Sequence, residues 1–497
     1  MPQSTETMTY QWYQKSFSQL ANLLTSQTSF FTEMYLTPQY RSPMLVIWVG
    51  SFGGALHAPV TSFFYLAVGA SEHDIGVIGA LQSLSSLLLS PVYGHVADNY
   101  GYYHVYGLST TLCSVGCLVR GLAGDVKGLY TGAIILGLGG AQAWSLALGY
   151  LSTHTPPNRK SEVVSGFIVQ VQLLGLLGKM MFTPLDWSLR GFGGDRSDDA
   201  DGGDLWRWRI EMGICTVFCF YGLIALVGSG GAMQEADRIM IRNKQISRKA
   251  SSVTTANNDL ERGVHESPSL ASITRAESLK NGNRSAFSLS MAVLLCQSTA
   301  TTIVTVLWPL YIRDAYQWSA TEYGYLVLMS SMASIVSVAS YPKLEARYGI
   351  AKCGEAACVC GMVCSLGFFI DSRPLLNPWY KTHVVLAVGF ISSLAFLEPC
   401  IRTLSSNYSH SSVQGRSFGF MNAIAGVGSI LGNLAGTKLY QIGKGYESVT
   451  SALYNLFFEH HEYDDDAPTS RDQDSGMNGK SLPFLFAFGM IGIAAVI

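Results

Sequence analysis

The chain has 497 residues, of which 48% are hydrophobic and only 13% charged, with 51 glycines. A soluble chain carries about 25% charged residues, so a soluble enzyme and a disordered chain are both disfavoured and a protein with many membrane spans is expected. The formal net charge of −2 leaves no basic footprint for nucleic acid.

A spanning helix needs about 20 predominantly apolar residues. Residues 1–42 are expected to form a cytoplasmic N-terminal tail. They hold no basic region followed by an apolar run, so no cleaved signal peptide is expected. Trp12, Phe17, Leu20 and Leu24 stand at helical spacing, open to an interfacial helix or a frayed tail. Six spans are then predicted at roughly 43–68, 73–94, 104–123, 128–150, 162–182 and 210–231, an N-terminal half over 43–231. Residues 232–285 are rich in Ser, Asn, Lys and Arg and predict a disordered cytoplasmic linker. Six further spans at roughly 286–312, 321–341, 353–371, 383–403, 417–440 and 481–497 make a C-terminal half over 286–497. Barrel strands are excluded because they alternate and run about 10 residues. The fold class is therefore all-α, with twelve transmembrane helices. Counting Lys and Arg in short segments near the spans favours both termini, Asn283 and Asn407 inside, and the acidic segments 183–209 and 441–480 outside.

The two halves repeat. At an offset of 248, residues 71–101 match 319–349 without a gap. The identities are Ser71/Ser319, Gly76/Gly324, Ser83/Ser331, Ser86/Ser334, Tyr93/Tyr341, Tyr100/Tyr348 and Gly101/Gly349. Gly166, Phe167 and Gly175 of span 5 recur as Gly419, Phe420 and Gly428 of span 11. The offset covers six spans, an even number, so the halves are parallel repeats sharing one membrane orientation.

The segment after span 2 reads Gly94-His95-Val96-Ala97-Asp98-Asn99-Tyr100-Gly101-Tyr102-Tyr103. It resembles the G-x-x-x-D-[RK]-x-G-[RK]-[RK] loop of the major facilitator superfamily, and the resemblance extends over nearly the whole chain. The glycines and Asp are kept and every basic position is lost. The second copy, residues 342–349, keeps Arg347 and Gly349 and loses the Asp. The resemblance implies a brace for the cytoplasmic gate built from Gly94, Asp98, Gly101, Arg347 and Gly349. Asp98 is expected near a helix N-terminus, where a carboxylate is favoured; a tight turn alone would also account for the glycines. Leu136 to Ala141 resembles the family's glycine run in span 4, with Ala133 where proton-coupled members often carry Arg. Gly178 is followed by Lys179, with no Pro. Both departures count against a drug/proton antiporter. Leu136 to Ser145 and Asp204 to Arg207 look like phosphate symporters, whereas Trp318 to Gly324 and Gln414-Gly415 look like the multidrug and tetracycline branch. The subfamily stays open.

In that family spans 1, 4, 7 and 10 line the cavity. The resemblance thus makes His57, Gln142, Ser145, Gln297, Thr301, Thr305 and Trp308 the candidate cavity residues. His57, two residues before Pro59, could bind substrate, carry a proton, or sit neutral between helices. Gln142 with Ser145, and Gln297 with Thr301, Thr305 and Trp308, form polar stripes able to meet a solute or to join helices. Glu398 and Arg402 are spaced for a helical ion pair, read as a gate brace with Arg347 or, for Glu398, as a proton-coupling group. Arg120, Lys179 and Lys438 stand near span ends and read as snorkelling, with an anion-attracting vestibule as the alternative.

The ten cysteines lie in or beside spans; Cys113/Cys117, Cys215/Cys219 and Cys360/Cys364, four apart on helices, read as packing residues. No zinc spacing, phosphate-binding loop or nucleophile–base set is found, so no metal, cofactor or enzymatic activity is expected. The expectation is a monomeric multi-pass transporter in a lipid bilayer that moves a small organic solute, alone or with a proton, by alternating access. An inorganic anion symporter and a non-transporting sensor or scaffold on the same fold are the alternatives.

Overall fold

The computed structural model describes residues 32–156, 159–192, 203–243, 245–246, 270–316, 320–371, 380–408, 414–458 and 482–496. The described residues are helical, with no strand among them. The expected tail helix around Trp12 to Leu24 lies outside them.

Span 1 is broken in its middle. The helix Pro38–His57 passes through a 3-10 turn, Ala58–Val60, into a second helix, Thr61–Ala67. Pro59 has no N–H to give the ladder, and its ring crowds the carbonyl one turn back, so the break falls there. Span 2, Glu72–Tyr100, starts at a capping box in which the Ser71 hydroxyl accepts from the Asp74 N–H and the Asp74 carboxylate accepts from the Ser71 N–H. It stops at Gly101, whose φ of +97° suits glycine. Spans 3, 4, 5 and 6 are Tyr102–Gly121, Val126–His154, Lys160–Phe192 and Gly203–Ser229. Spans 7 to 12 are Leu270–Tyr316, Ala320–Tyr348, Ile350–Asp371, Tyr380–Tyr408, Gln414–Phe458 and Leu482–Val496.

Nine described helices are long and apolar enough to cross a membrane by length and composition. Span 3 is not one of them. It buries Ser109, Thr110, Ser114 and Arg120 against its neighbours, and a helix that turns polar groups inward needs less apolar surface overall.

Packing repeats with the sequence. Span 1 lies against 5 and 6, span 3 against 4 and 6, and span 2 against 4; spans 7 to 12 reproduce these pairings six places on. The halves meet along spans 2 and 11 and along spans 5 and 8, which exchange places under the same repeat. Small residues permit the approach. A Cβ on Gly76 would fall within 3.0 Å of the Thr437 side chain, and one on Gly419 within 3.0 Å of the Ser90 carbonyl. Gly349 ends span 8 with φ +84°, as Gly101 ends span 2. Ser319 lies outside the described residues.

Two expected boundaries move. The linker does not begin at 232: residues 231–243 are helical, and Met233 and Asp237 are buried. It does not reach 285 either, because span 7 begins at Leu270. The acidic segment placed at 441–480 is helical up to Phe458 as a continuation of span 11. Polar composition hid these stretches, since a helix that leaves the bilayer no longer needs apolar residues on every face.

Candidate functional site

A cavity of about 420 Å³ opens inside the N-terminal half, lined by spans 1, 2, 3, 4 and 6. Its polar wall is His57 of span 1, Gln82 of span 2, and Cys113, Cys117 and Arg120 of span 3. Cys215 and Cys219 of span 6 and Trp144 of span 4 complete it. His57 stands on the last turn before the break in span 1. Its Nδ1 lies 3.2 Å from the Gly53 carbonyl and its Nε2 lies 2.8 Å from Arg120 Nη2. A guanidinium can only donate, so Nε2 accepts and Nδ1 carries the proton. Arg120 also donates to the Tyr65 hydroxyl at 3.3 Å. Both His57 and Arg120 are buried. Arg120 was expected to snorkel; it turns inward instead, because Tyr65 and His57 supply acceptors that lipid cannot.

Cys113, Cys117 and Cys219 bring their sulfurs within 4.8 Å of one another. The spacing of four on each helix was legible, but not that span 3 faces span 6. Among the described residues these are the thiols close enough to share an ion. The Cys117–Cys219 separation of 3.9 Å is van der Waals contact, far beyond an S–S bond of about 2.05 Å.

The other expected cavity residues do not converge on one wall. Gln297 is buried and donates to the Leu394 carbonyl of span 10 at 3.0 Å. Ser145 is buried. Trp308 is buried and meets Tyr323 edge to face at 6.5 Å, where Tyr323 also lies 6.5 Å from Phe63 of span 1. Thr301 is half-buried, and Thr305 is exposed, donating to the Thr302 carbonyl. Gln142 falls in span 4, its side chain outside the described set.

The end of the bundle that carries Asp98 is fastened across the halves. Asp98 is buried and accepts from the Arg416 backbone N–H at 2.8 Å. Arg416 lies in the first turn of span 11, so the carboxylate caps that helix. Its other oxygen accepts from the Tyr102 hydroxyl at 3.2 Å. Asn422 of span 11 donates to Ser90 of span 2 at 2.8 Å. Gly94 is buried on the same stretch, and a Cβ on Gly101 would come within 2.9 Å of the Asp237 carboxylate. Asp237 was absorbed into the linker by sequence reasoning; it caps span 3 by accepting from the Tyr103 N–H at 2.8 Å. Glu398 and Arg402 pair at 2.8 Å, and Arg402 stands 5.9 Å from the Trp144 ring centre, a cation–π contact between spans 10 and 4. Arg347 was expected in that brace. It is exposed and lies over the Tyr348 ring, because it falls on the outward side of the last turn of span 8, where residues 346–348 are all exposed.

At the opposite end Arg313 of span 7 pairs with Glu72 of span 2 at 3.5 Å, and Tyr440 donates to Asp314 at 2.9 Å. Between the two ends Lys179 of span 5 donates to the Ser331 hydroxyl of span 8. It too was expected to snorkel, and it crosses the inter-half seam instead. Lys438 is exposed.

Solved structures share this arrangement. The human organic anion transporter MFSD10 is 12% identical, with 92% of this chain and 98% of that one covered at a TM-score of 0.54. The xylose transporter XylE from E. coli, in a partially occluded inward open conformation, is 12% identical over 93% and 96% of the two chains, at 0.60. The nucleoside transporter NupG is 10% identical over 93% and 98%, at 0.58. At these identities the likeness speaks for the fold. No curated protein matches the sequence. The sequence model of the Major Facilitator Superfamily matches residues 44–433, well over half of the chain, and with that match this membrane transport protein belongs to the Major Facilitator Superfamily.

Proposed function

We propose that the protein moves a small organic solute across its membrane by alternating access. The observation that carries this reading is the cavity beside the break in span 1, which lies between the two sets of end contacts. Asp98, Asn422 and Trp144–Arg402 fasten the halves at one end, and Glu72–Arg313 at the other. A solute held between two such fastenings needs only one to open at a time. The solved relatives are described as carriers of a sugar, nucleosides and organic anions, all small organic solutes. The Asp98 end is assigned to the cytoplasm, with both termini.

Proton coupling finds less support. Nε2 of His57 is occupied by Arg120, and a second proton there would face a guanidinium. Glu398 is committed to an ion pair with Arg402 at 2.8 Å. A uniport or exchange mode fits these contacts better than a proton relay. Uptake of a radiolabelled panel of sugars, nucleosides and carboxylates by proteoliposomes tests the reading. Saturable flux of at least one solute is expected; folded protein giving no flux for any of them would overturn it in favour of a sensor or scaffold.

A further inference from the structure

We propose that Arg120 binds the negatively charged oxygens of an anionic solute in the cavity of the N-terminal half. This rests on the transport reading and narrows it to one substrate chemistry.

Arg120 is 6% exposed. It forms no ion pair among the described residues. A guanidinium carries five N–H donors. One goes to His57 Nε2 and one to the Tyr65 hydroxyl, while the buried Nε–H has no partner. Neither partner balances the charge. Tyr65 gives a hydroxyl oxygen, and His57 gives the lone pair of a neutral ring whose proton is committed to Gly53. A cation in the last turn of a helix gains from the helix dipole, and Arg120 stands in the last turn of span 3. That gain explains why a cation is tolerated there, and it does not supply the missing acceptors.

Lys179 is the second observation. It donates to Ser331 and has no carboxylate partner among the described residues. Its neighbour Gly178 packs on Phe52 and Leu56 of span 1, one turn from His57, so the two cations share a level of the bundle. The acid closest to Arg120 in sequence, Asp125, is engaged elsewhere: it caps span 4 by accepting from the Gly128 N–H at 2.8 Å. Buried charges in a membrane are paired or functional. Of the two cations, Arg120 lines the cavity, and a planar guanidinium fork suits a carboxylate or phosphate accepted through two oxygens.

The test uses full-length protein in detergent, with succinate, inorganic phosphate and the uncharged succinamide as probes, read by thermal unfolding. Succinate or phosphate should raise the melting temperature and succinamide should not; which of the two anions acts separates a carboxylate from a phosphate ligand. Arg120→Gln should weaken the active anion by roughly tenfold or more, and Arg120→Lys should retain part of its affinity. Should Arg120→Gln fail to fold, the bound anion should still slow maleimide reaction at Cys113 in a Cys360→Ser background, since Cys113 lines the same cavity. No stabilisation by either anion, or equal affinity in the folded Arg120→Gln variant, would overturn the proposal. Flux of an uncharged solute with no anion binding leaves transport standing and removes this site. Anion binding without flux keeps the site and removes transport.

Discussion

Gly101 and Gly349 stand 248 residues apart at the ends of spans 2 and 8, and replacing each by Ala should not cost the same. Both hold positive φ, +97° and +84°, where a Cβ is strained by about 1–3 kcal/mol. Around Gly349 there is open space, so strain is the whole cost. At Gly101 the new methyl also meets the Asp237 carboxylate at 2.9 Å and must push away the cap of span 3. Gly124 has neither constraint, and its Ala variant should stay within about 0.5 kcal/mol of wild type. Thermal unfolding of the three variants should therefore rank Gly101→Ala below Gly349→Ala, and that below Gly124→Ala. Equal losses at 101 and 349 would remove the Asp237 contact from the account. The pairing of these glycines was legible in the sequence, but their unequal surroundings were not, because Asp237 comes from a stretch whose polar composition concealed a packed helix. Arg120 was misread for a related reason. Its place near a span end suggested lipid headgroups, whereas Cys113, Cys117 and Arg120, at spacings of four and three, lie on one face. The lipid-facing residues of the same helix are Leu108, Val115, Leu118 and Leu122, all exposed.

At the scale of the element, two carboxylates each complete a helix that belongs to another part of the chain. Asp98, at the end of span 2, caps span 11, and Asp237, after span 6, caps span 3. An uncapped first turn leaves backbone N–H groups without acceptors, and loss of a cap costs about 0.5–2 kcal/mol. Asp237→Ala should lower thermal stability by that amount, because it ties elements within one half. Asp98→Asn should act differently. The amide oxygen can still accept from Arg416, while the favourable charge at the helix N-terminus, about 0.3–1 kcal/mol, is lost from a contact between halves. Membrane insertion and folding should survive and the rate of uptake should fall; unchanged uptake kinetics would sink the gate role of Asp98. The sequence pointed to Asp98 only through the family loop it resembles. Which helix it serves could not be read, since Arg416 lies 318 positions away. The spans themselves were legible because each must satisfy the bilayer residue by residue, a constraint local to the chain. Contacts between spans obey no such local rule, and so the polar stripe on span 7 split in the structure between a buried Gln297 and an exposed Thr305.

For the molecule as a whole, the seam between spans 2 and 11 sets how the halves can move. It is tight at two levels. Near the Arg313 end Gly76 faces Thr437, whose hydroxyl is tied to the Asn433 carbonyl at 2.8 Å; near the Asp98 end Gly419 faces the Ser90 backbone. A methyl added at either place has no room while that end is closed, and neither neighbour can swing aside, one being a stiff β-branched side chain and the other a carbonyl. Overpacking of this kind costs about 1–3 kcal/mol, and each 1.4 kcal/mol moves an equilibrium tenfold. If the halves rock as rigid bodies, the cost vanishes when the crowded end parts. Gly76→Ala should then populate a state open at the Arg313 end, and Gly419→Ala one open at the Asp98 end. Spin labels on exposed residues can report this in a Cys360→Ser background. A pair at Tyr100 and Tyr348 spans the halves at the Asp98 end, and a pair at Leu122 and Tyr325 spans them at the other. Gly76→Ala should lengthen the 122–325 distance and leave 100–348 short; Gly419→Ala should do the reverse. Lengthening of the same pair by both substitutions, or of neither, would mean that the seam yields locally and that the halves do not rock about it.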